Sequence, residues 1–257
     1  QVEVIFSMKM IIVSAGQGTR LRPLTNNKPK CMVEYNGKPI IDYILDAAEY
    51  CHIKDISIVN GYKKDMLESH LKDRGCTFFT NKEFYKTNMV YTLFNAKEFM
   101  SGDIIISYAD IVYRPKILER LMASNADFSV VVDKDWKELW SLRMESPLED
   151  AETLKIQDGH IIELGKKPNS YNEIEGQYIG LIKISKFALP KFIKFYENLD
   201  KAKNYDGKDY NNMYMTSLIQ MIIDNVMDVT PVFINGGWIE IDSTEDIKAY
   251  NEKGIKF

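Results

Sequence analysis

The chain has 257 residues, of which 45% are hydrophobic and 27% are charged, enough for one large α/β domain with a full core or for two small domains at most. Its formal net charge of −4 excludes a general nucleic-acid-binding or anionic-membrane-binding surface. No apolar run approaches the roughly 18 residues of a membrane span, and no secretory leader opens the sequence, so we expect a cytoplasmic protein.

The three cysteines, Cys31, Cys51 and Cys76, include no C-x-x-C pair and have no histidine at metal-ligand spacing. We therefore expect reduced thiols without a catalytic or metal-binding role. Residues 1–7 precede Met8 and are treated as upstream residues. The predicted domain covers residues 8–257.

A short apolar strand runs directly into a glycine-bearing, basic loop between Ile11 and Lys30. Gly16 and Gly18 leave room for an oligophosphate to approach backbone N–H groups, and they allow the positive φ that turns these donors inward. The loop contains no acid, and its cations are Arg20, Arg22, Lys28 and Lys30. The stretch therefore predicts a phosphate site on an otherwise acidic protein.

Strands and helices alternate through the next part of the chain. Apolar spacing predicts helices at residues 40–51, 63–74, 89–100 and 114–124, and strands at residues 56–59, 76–80, 103–107 and 128–132. Because alternation of this kind builds right-handed crossovers, we expect an α/β fold with a mainly parallel sheet.

The rest of the chain is less regular. Residues 133–152 are acidic and predicted to be irregular, although they contain Trp136, Trp140 and Arg143. Strands at residues 160–164 and 177–184 are predicted to form a hairpin-like pair. The remaining predicted elements are helices at residues 186–199 and 211–226, strands at residues 230–235 and 238–241, and a helix that begins at residues 242–245 with Ser243 and Thr244 as caps.

Three polar residues stand at element ends, and two of them have more than one interpretation. Asn88 precedes a helix, where it could cap that helix or meet the edge of a nucleobase. Asp110 follows a buried strand, where it could form a turn or bind Mg²⁺ beside an oligophosphate. Asp242 stands at a strand end just before a helix cap, where the local interpretation is first-turn charge.

The stretch from Gly16 to Lys30 resembles the G-x-G-T/S-R-L-x-P-L-T-x-x-x-P-K motif of the sugar-phosphate nucleotidyltransferase superfamily. A dinucleotide fingerprint does not fit because Leu21 stands at the third glycine position, and a Walker A loop does not fit because Gly-Lys-Ser/Thr is missing. The resemblance implies a single Rossmann-like three-layer α/β/α nucleotidyltransferase domain, with a mainly parallel central sheet and a small β insertion. The matching residues are Gly16, Gly18, Thr19, Arg20, Leu21, Pro23, Leu24, Thr25, Pro29 and Lys30.

The same resemblance implies a magnesium-dependent reaction of a nucleoside triphosphate. The segments Y-A-D, ending at Asp110, and W-I-E-I-D-S, which contains Asp242, are similar to the superfamily segments whose aspartates hold the metal. The predicted metal ligands are Asp110 and Asp242, and the predicted catalytic residues are Arg20, Lys30, Asp110 and Asp242. The predicted nucleotide-binding residues are Ser14, Ala15, Gly16, Gly18, Thr19, Arg20, Asn88, Tyr108 and Ala109.

Later motifs concern the acceptor. The segments N-M-V-Y-T, E-L-W and E-I-D-S resemble the phosphocholine cytidylyltransferase branch, which uses CTP and has an aromatic cage for a quaternary ammonium. Arg143, Lys166 and Lys167 oppose a purely cationic guest and favour a phosphorylated compound that also bears a carboxylate. The predicted substrate-binding residues are Trp140, Arg143, Lys167, Gly180 and Glu240.

From Met8 onward the chain is similar to phosphoglutamine-specific cytidylyltransferases. This resemblance implies L-glutamine phosphate as the acceptor and CDP-L-glutamine as the product, for phosphoramidate modification of capsular polysaccharide. Phosphocholine and sugar 1-phosphates stay open as acceptors, although Lys166 replaces the acid that would hold a sugar hydroxyl. A nucleotide-binding regulator without turnover and a redox enzyme also remain as alternatives, and no nucleic-acid or membrane partner is expected.

Overall fold

A seven-stranded sheet runs through the computed structural model, which describes residues 7–257. The strands are β1 (Met8–Val13), β2 (Glu34–Tyr35), β3 (Lys38–Pro39), β4 (Asp55–Asn60), β5 (Thr77–Thr80), β6 (Asp103–Tyr108), β7 (Ile111–Tyr113), β8 (Phe128–Asp133), β9 (Leu154–Gln157), β10 (His160–Leu164), β11 (Gln177–Ile184), β12 (Asn204–Tyr205), β13 (Lys208–Asp209), β14 (Thr230–Ile234) and β15 (Trp238–Glu240). The helices are α1 (Ile40–Tyr50), α2 (Lys64–His70), α3 (Met89–Phe94), α4 (Pro115–Met122), α5 (Trp136–Arg143), α6 (Pro147–Asp150), α7 (Leu189–Glu197), α8 (Met215–Asn225) and α9 (Thr244–Lys253).

The central sheet has the strand order β14-β8-β11-β6-β1-β4-β5. Strand β1 pairs in parallel with β4 and β6, whereas β11 runs antiparallel to both of its neighbours, β6 and β8. The predicted mainly parallel α/β fold is therefore confirmed. The prediction for residues 1–7 concerns mostly residues outside the described range.

Two hydrophobic cores cover the two faces of the sheet and make the three layers. Alternate side chains of β1 enter opposite cores, with Met10 and Ile12 on one face and Ile11 and Val13 on the other. Helices α1 and α4 pack on the first face, and α3, α7 and α8 pack on the second. Between residues 7 and 257, every helix is too short or too polar to span a lipid bilayer.

The predicted hairpin between residues 160–164 and 177–184 is wrong. Strand β10 pairs instead with β9, which sequence reasoning missed, and β11 is inserted between β6 and β8 of the central sheet. Every residue of β11 from Ile179 to Ile184 is buried, as expected for a strand covered on both faces rather than for an exposed hairpin arm.

The region predicted to be irregular, residues 133–152, contains α5 and α6. Trp136, Leu139 and Trp140 recur at helical spacing and bury one face of α5. Two predicted helices are shorter than expected, since α2 ends at His70 and α3 ends at Phe94. At the end of α3, the Asn95 side chain donates to the Tyr91 carbonyl oxygen at 2.9 Å and a short 3₁₀ turn follows at Lys97–Phe99.

A small antiparallel ribbon brings two distant parts of the chain together beside the sheet. Strands β7 and β15 pair with each other, and the backbone N–H of Ile241 donates to the Asp110 carbonyl oxygen at 2.8 Å. Asp110 follows β6, and Asp242 lies two residues after β15. The ribbon therefore places these two carboxylates side by side.

Candidate active site

A cavity of about 270 Å³, here called the loop pocket, opens at the carboxyl ends of β1 and β6. Most of the predicted nucleotide-binding residues line it: Ser14, Ala15, Gly16, Gly18, Thr19, Arg20, Asn88 and Ala109. Lys30, Asp110 and Asp242 line it as well. Sequence reasoning missed Phe84, Thr87 and Thr92, which also face this cavity.

The two loop glycines have different roles. Gly18 has φ +59°, and a Cβ there would lie 3.0 Å from Cβ of Lys30 and 3.0 Å from Cγ2 of Thr25, so this position needs glycine for both conformation and space. The Thr25 hydroxyl donates to the Gly18 carbonyl oxygen at 2.6 Å and closes the loop. The expected positive φ at Gly16 is wrong, because only Gly18 of the pair has it; the Cβ direction of Gly16 meets no atom within 4 Å.

Lys30 lies between the two predicted metal ligands. Its Nζ is 3.1 Å from Oδ2 of Asp110 and 2.5 Å from Oδ1 of Asp242, and Arg20 approaches Asp242 at 3.3 Å from a largely exposed position. Burial opposes the charge on Lys30, yet the negative charges of Asp110 and Asp242 raise its pKa above the usual value. Burial likewise opposes the charge on Asp242, but Lys30 holds the pKa of that carboxyl below its usual value.

Glu240 joins Asp110 and Asp242 in a carboxylate cluster, in which one oxygen of each side chain lies within 4.8 Å of the others. Burial, then the charges of Asp242 and Asp110, raise the pKa of Glu240 to about 8. Oδ1 of Asp110 is buried and has no hydrogen-bond partner among the described residues. Hard carboxylate oxygens with one free buried acceptor fit a divalent cation such as Mg²⁺. Sequence reasoning had placed Glu240 in substrate binding.

Arg143 has a different environment from the one expected of a substrate-binding cation. Its side chain is 5% exposed and donates to Glu240 at 2.8 Å, to Asp246 at 3.0 Å and to Asp242 at 3.4 Å. The guanidinium is therefore occupied by acids of β15, α9 and the loop between them, and it lines neither pocket. Arg143 lies on the same face of α5 as Trp136 and Trp140. Its guanidinium carbon is 5.7 Å from the centroid of the Trp140 ring, and both tryptophans are buried in the core.

A second cavity of about 290 Å³, here called the aromatic pocket, adjoins the loop pocket and shares Arg20, Asn88, Met89 and Asp242 with it. Trp140, Trp238, Tyr108, Tyr178 and Tyr214 line it together with Asp150, Glu152 and Glu240. The Trp140 indole N–H donates to Asp150 at 3.0 Å. Asp150 and Glu152 come from the segment predicted to be irregular, and no motif distinguished them from ordinary surface acids.

The other predicted substrate-binding residues lie outside the walls of this pocket. Lys167 donates through Nζ to the backbone carbonyl oxygens of Leu148 and Glu149. Its ammonium group therefore contacts α6 and does not line the aromatic pocket. Gly180 has φ +99°, and a Cβ there would lie 2.5 Å from the Tyr108 ring. Glycine at this position therefore lets Tyr108 pack closely enough to β11 to face the aromatic pocket.

Asn88 caps helix α3, since its side-chain oxygen accepts from the Met89 N–H at 2.8 Å. The same residue lines both pockets. Its side-chain nitrogen makes only a long contact of 3.4 Å with the Asn212 carbonyl oxygen. The capping interpretation is therefore realised, and contact with a nucleobase stays a prediction.

Comparison with known proteins identifies relatives along nearly the whole chain. A model of the Nucleotidyl transferase family matches residues 9–139. The chain is 49% identical to the CTP:phosphoglutamine cytidylyltransferase of Campylobacter jejuni, covering 96% of this chain and 100% of that protein. It is 28% identical to the choline-phosphate cytidylyltransferase of Streptococcus pneumoniae, covering 95% and 97%. The structure of the inositol-1-phosphate CTP transferase from T. maritima superimposes with a TM-score of 0.74 at 20% identity, covering 98% and 99%, and shares the fold.

Proposed function

The chain belongs to the nucleotidyl transferase family and is a nucleotidyltransferase, and from this premise we propose that it joins CTP to a small phosphorylated metabolite with release of pyrophosphate. The proposed acceptor is L-glutamine phosphate, and the product is CDP-L-glutamine for phosphoramidate modification of capsular polysaccharide. The full-length relative at 49% identity supports this choice. We place the reaction in the cytoplasm, where CTP is available.

One observation carries the proposal: two adjoining pockets meet at a carboxylate cluster flanked by Arg20 and Lys30. The loop pocket would hold the nucleotide, with backbone N–H groups of the glycine loop directed at phosphates. The aromatic pocket would hold the acceptor. The acceptor phosphate and the α-phosphate of CTP would then meet beside Asp242, which lines both cavities.

Magnesium is the proposed cofactor, and Asp110, Asp242 and Glu240 would hold it. When bound, the ion supplies charge neutralisation for the reacting phosphates. Lys30 holds positive charge at the same place and would face the α-phosphate, while the more exposed Arg20 would face the departing pyrophosphate. Both cations lower the cost of the negative charge that develops during transfer.

The reaction needs no protein base. A phosphorylated acceptor with a second pKa of about 6 is largely dianionic near neutral pH, so its oxygen can attack the α-phosphorus directly while the bond to pyrophosphate breaks. The histidines, His52, His70 and His160, line neither pocket. We therefore propose an in-line displacement that depends on positioning and charge, without a covalent enzyme intermediate.

The test is a pyrophosphate-release assay on the purified chain with Mg²⁺. CTP and UTP are each combined with L-glutamine phosphate, phosphocholine and glucose 1-phosphate, and the product is identified by mass spectrometry. We expect rapid release only with CTP and L-glutamine phosphate, and a product with the mass of CDP-L-glutamine. Faster turnover with another acceptor would replace the substrate assignment, and no turnover with any pair would contradict the proposed reaction.

A further inference from the structure

Asp246 is a buried acid beside the carboxylate cluster, and the proposed reaction gives it no part. It lies in the first turn of α9 and its side chain is 7% exposed. It is not among the described residues that line either pocket. A carboxylate buried this deeply lowers stability unless partners compensate its charge, so the partners indicate what Asp246 does.

The first partners are backbone groups next to the cluster. Oδ2 of Asp246 accepts from the Asp242 N–H at 2.8 Å and from the Ser243 N–H at 3.1 Å. A capping box accounts only for the Ser243 contact, so the shorter bond to Asp242 is additional. Also on α9, the Tyr250 hydroxyl donates to the Glu240 carbonyl oxygen at 2.6 Å. Helix α9 therefore fixes the main chain at Glu240 and at Asp242.

The second partner is the guanidinium of Arg143. Its Nε lies 3.0 Å from Oδ1 of Asp246 and its Nη2 lies 3.3 Å from Oδ2, which is a two-point pairing of guanidinium and carboxylate. Nη1 donates to Glu240 at 2.8 Å, whereas the contact of Nη2 with Asp242 is long, at 3.4 Å. Because Asp246 shares Nη2, Arg143 approaches Asp242 less closely than it approaches the other two acids.

The balance of charge around Asp242 decides whether its carboxylate can bind a divalent cation. Lys30 lies between Asp110 and Asp242 and already supplies a positive charge there. A second unpaired cation directed at Asp242 would compete with a metal ion for the same oxygens. Asp246 compensates the charge of Arg143 from the side away from the cluster, and the Asp242 carboxylate therefore keeps negative charge for a metal.

We infer that Asp246 is a positioning residue for the metal site, which fixes the Asp242 backbone and takes up the charge of Arg143 so that Asp242 and Glu240 stay available to Mg²⁺. The inference rests on the proposed function, because it treats the carboxylate cluster as the metal site. Asp246 acts through its two neighbours and not by contact with a substrate. Residues that orient metal ligands in this way typically change metal affinity by about 10- to 100-fold.

The metal test compares wild type with Asp246→Asn by isothermal titration calorimetry of the full chain with Mn²⁺. The Asn side-chain oxygen can still accept from the backbone N–H groups of Asp242 and Ser243, but its amide nitrogen cannot accept from Arg143. We expect the Kd for Mn²⁺ to rise about 10- to 100-fold, with an unchanged number of sites per chain. Glu245→Gln removes an exposed charge from the same turn of α9 and should change this Kd by less than about threefold.

Turnover supplies a second readout. In Asp246→Asn, the Mg²⁺ concentration for half-maximal pyrophosphate release should rise by the same factor as the Kd for Mn²⁺. Because mass action overcomes weakened binding, saturating Mg²⁺ should restore kcat to within about threefold of wild type. The KM for CTP at saturating Mg²⁺ should not change.

A purely structural role predicts a different result. Ser243→Ala removes the hydroxyl that accepts from the Asp246 N–H at 3.2 Å and leaves the carboxylate of Asp246 in place. We expect this variant to melt at a lower temperature because its helix cap is lost, while its Kd for Mn²⁺ stays at the wild-type value. An Asp246→Asn variant with a lower Tm and fewer Mn²⁺ sites per chain, but an unchanged Kd, would overturn the inference.

The remaining outcomes separate the inference from the proposed reaction. Mn²⁺ binding that depends on Asp246, in a wild-type chain that releases no pyrophosphate, would contradict the proposed reaction alone. Active wild type together with equal Mn²⁺ affinity in Asp246→Asn would contradict the inference alone, as would an equal loss of affinity in Glu245→Gln. A wild-type chain that binds no Mn²⁺ would overturn both.

Discussion

The two pockets share a wall and differ in charge. The loop pocket presents Arg20 and Lys30 over a glycine-bearing loop, whereas the aromatic pocket presents Asp150 and Glu152 among indole and phenol rings. The carboxylate cluster separates these two environments. The cationic groups of the loop pocket and the cluster predict that the phosphates of bound ligands lie at the centre and on the loop side.

The pockets also differ in how they are assembled. The loop pocket is built mainly from one continuous stretch after β1, with contributions from the residues around the start of α3 and after β6. The aromatic pocket combines α5, the residues around α6, β11, α8 and β15. Substitutions of residues that line both pockets, such as Asp242, should therefore affect both ligands. Substitutions of residues that line only one pocket should affect only the ligand bound there.

The largest effect is expected where the pockets meet. Replacing either metal-ligand candidate, as in Asp110→Asn or Asp242→Asn, removes a charge that Lys30 and the proposed Mg²⁺ both use. We expect kcat to fall by about 10²- to 10³-fold or more, and Mn²⁺ affinity measured by calorimetry to fall as well. The exposed Asp73→Asn, which makes the same change after α2, serves as the control. Near-normal kcat in either variant would contradict the metal assignment.

An intermediate effect is expected at Arg143. This residue lies on α5 and pairs with Glu240 and Asp242, which line the aromatic pocket. Arg143→Met leaves Glu240, Asp242 and Asp246 without their buried partner, which typically costs about 3–5 kcal/mol. For a chain of this size, that corresponds to a fall in Tm of about 10 °C. We expect kcat to fall together with Tm, as measured by calorimetric melting and pyrophosphate release.

The control for Arg143 is Arg120→Met, an exposed position on α4, which should shift Tm by less than about 2 °C. A rise in the acceptor KM alone, with an unchanged Tm, would instead support the sequence-based hypothesis that Arg143 touches the acceptor.

The smallest effect is expected for Glu240→Gln, measured as a change in Tm in protein kept metal-free with a chelator. Its folded-state pKa of about 8 lies above the usual 4.5, so between these pH values the folded chain holds a proton that the unfolded chain has lost. Stability is therefore greatest below this window and falls as pH rises through it. Glu240→Gln removes that dependence, and we expect it to melt about 2–4 °C higher than wild type at pH 8, equivalent to about 1 kcal/mol.

Near pH 5 the Glu240→Gln variant and wild type should melt at similar temperatures, and exposed Glu34→Gln should follow wild type at both pH values. A Glu240→Gln variant that melts below wild type at pH 8 would show that the ion pair with Arg143 outweighs the repulsion inside the cluster.

Prediction from sequence succeeded where a feature depends on neighbours along the chain. The apolar β1 leads into the loop, α9 begins at Thr244 with Ser243 as its N-cap, and Asp110 lies two residues after β6, as expected from local patterns. It failed where a feature depends on distant neighbours. The buried spacing of β11 is equally compatible with a hairpin arm and with a central strand, and only the presence of β6 and β8 on its two sides decides between them.

The sequence by itself determined the basic glycine loop and the carboxylates that follow two strands, because backbone conformation, donor groups and charge lie together in short stretches of chain. Only the tertiary structure decided which charges remain free. Arg143 is neutralised by acids about a hundred positions away. The Glu152 carboxylate, by contrast, forms no ion pair within residues 7–257. The charge of a pocket is the sum over segments brought together by folding, so the distance between residues in space determines it and their order along the chain does not.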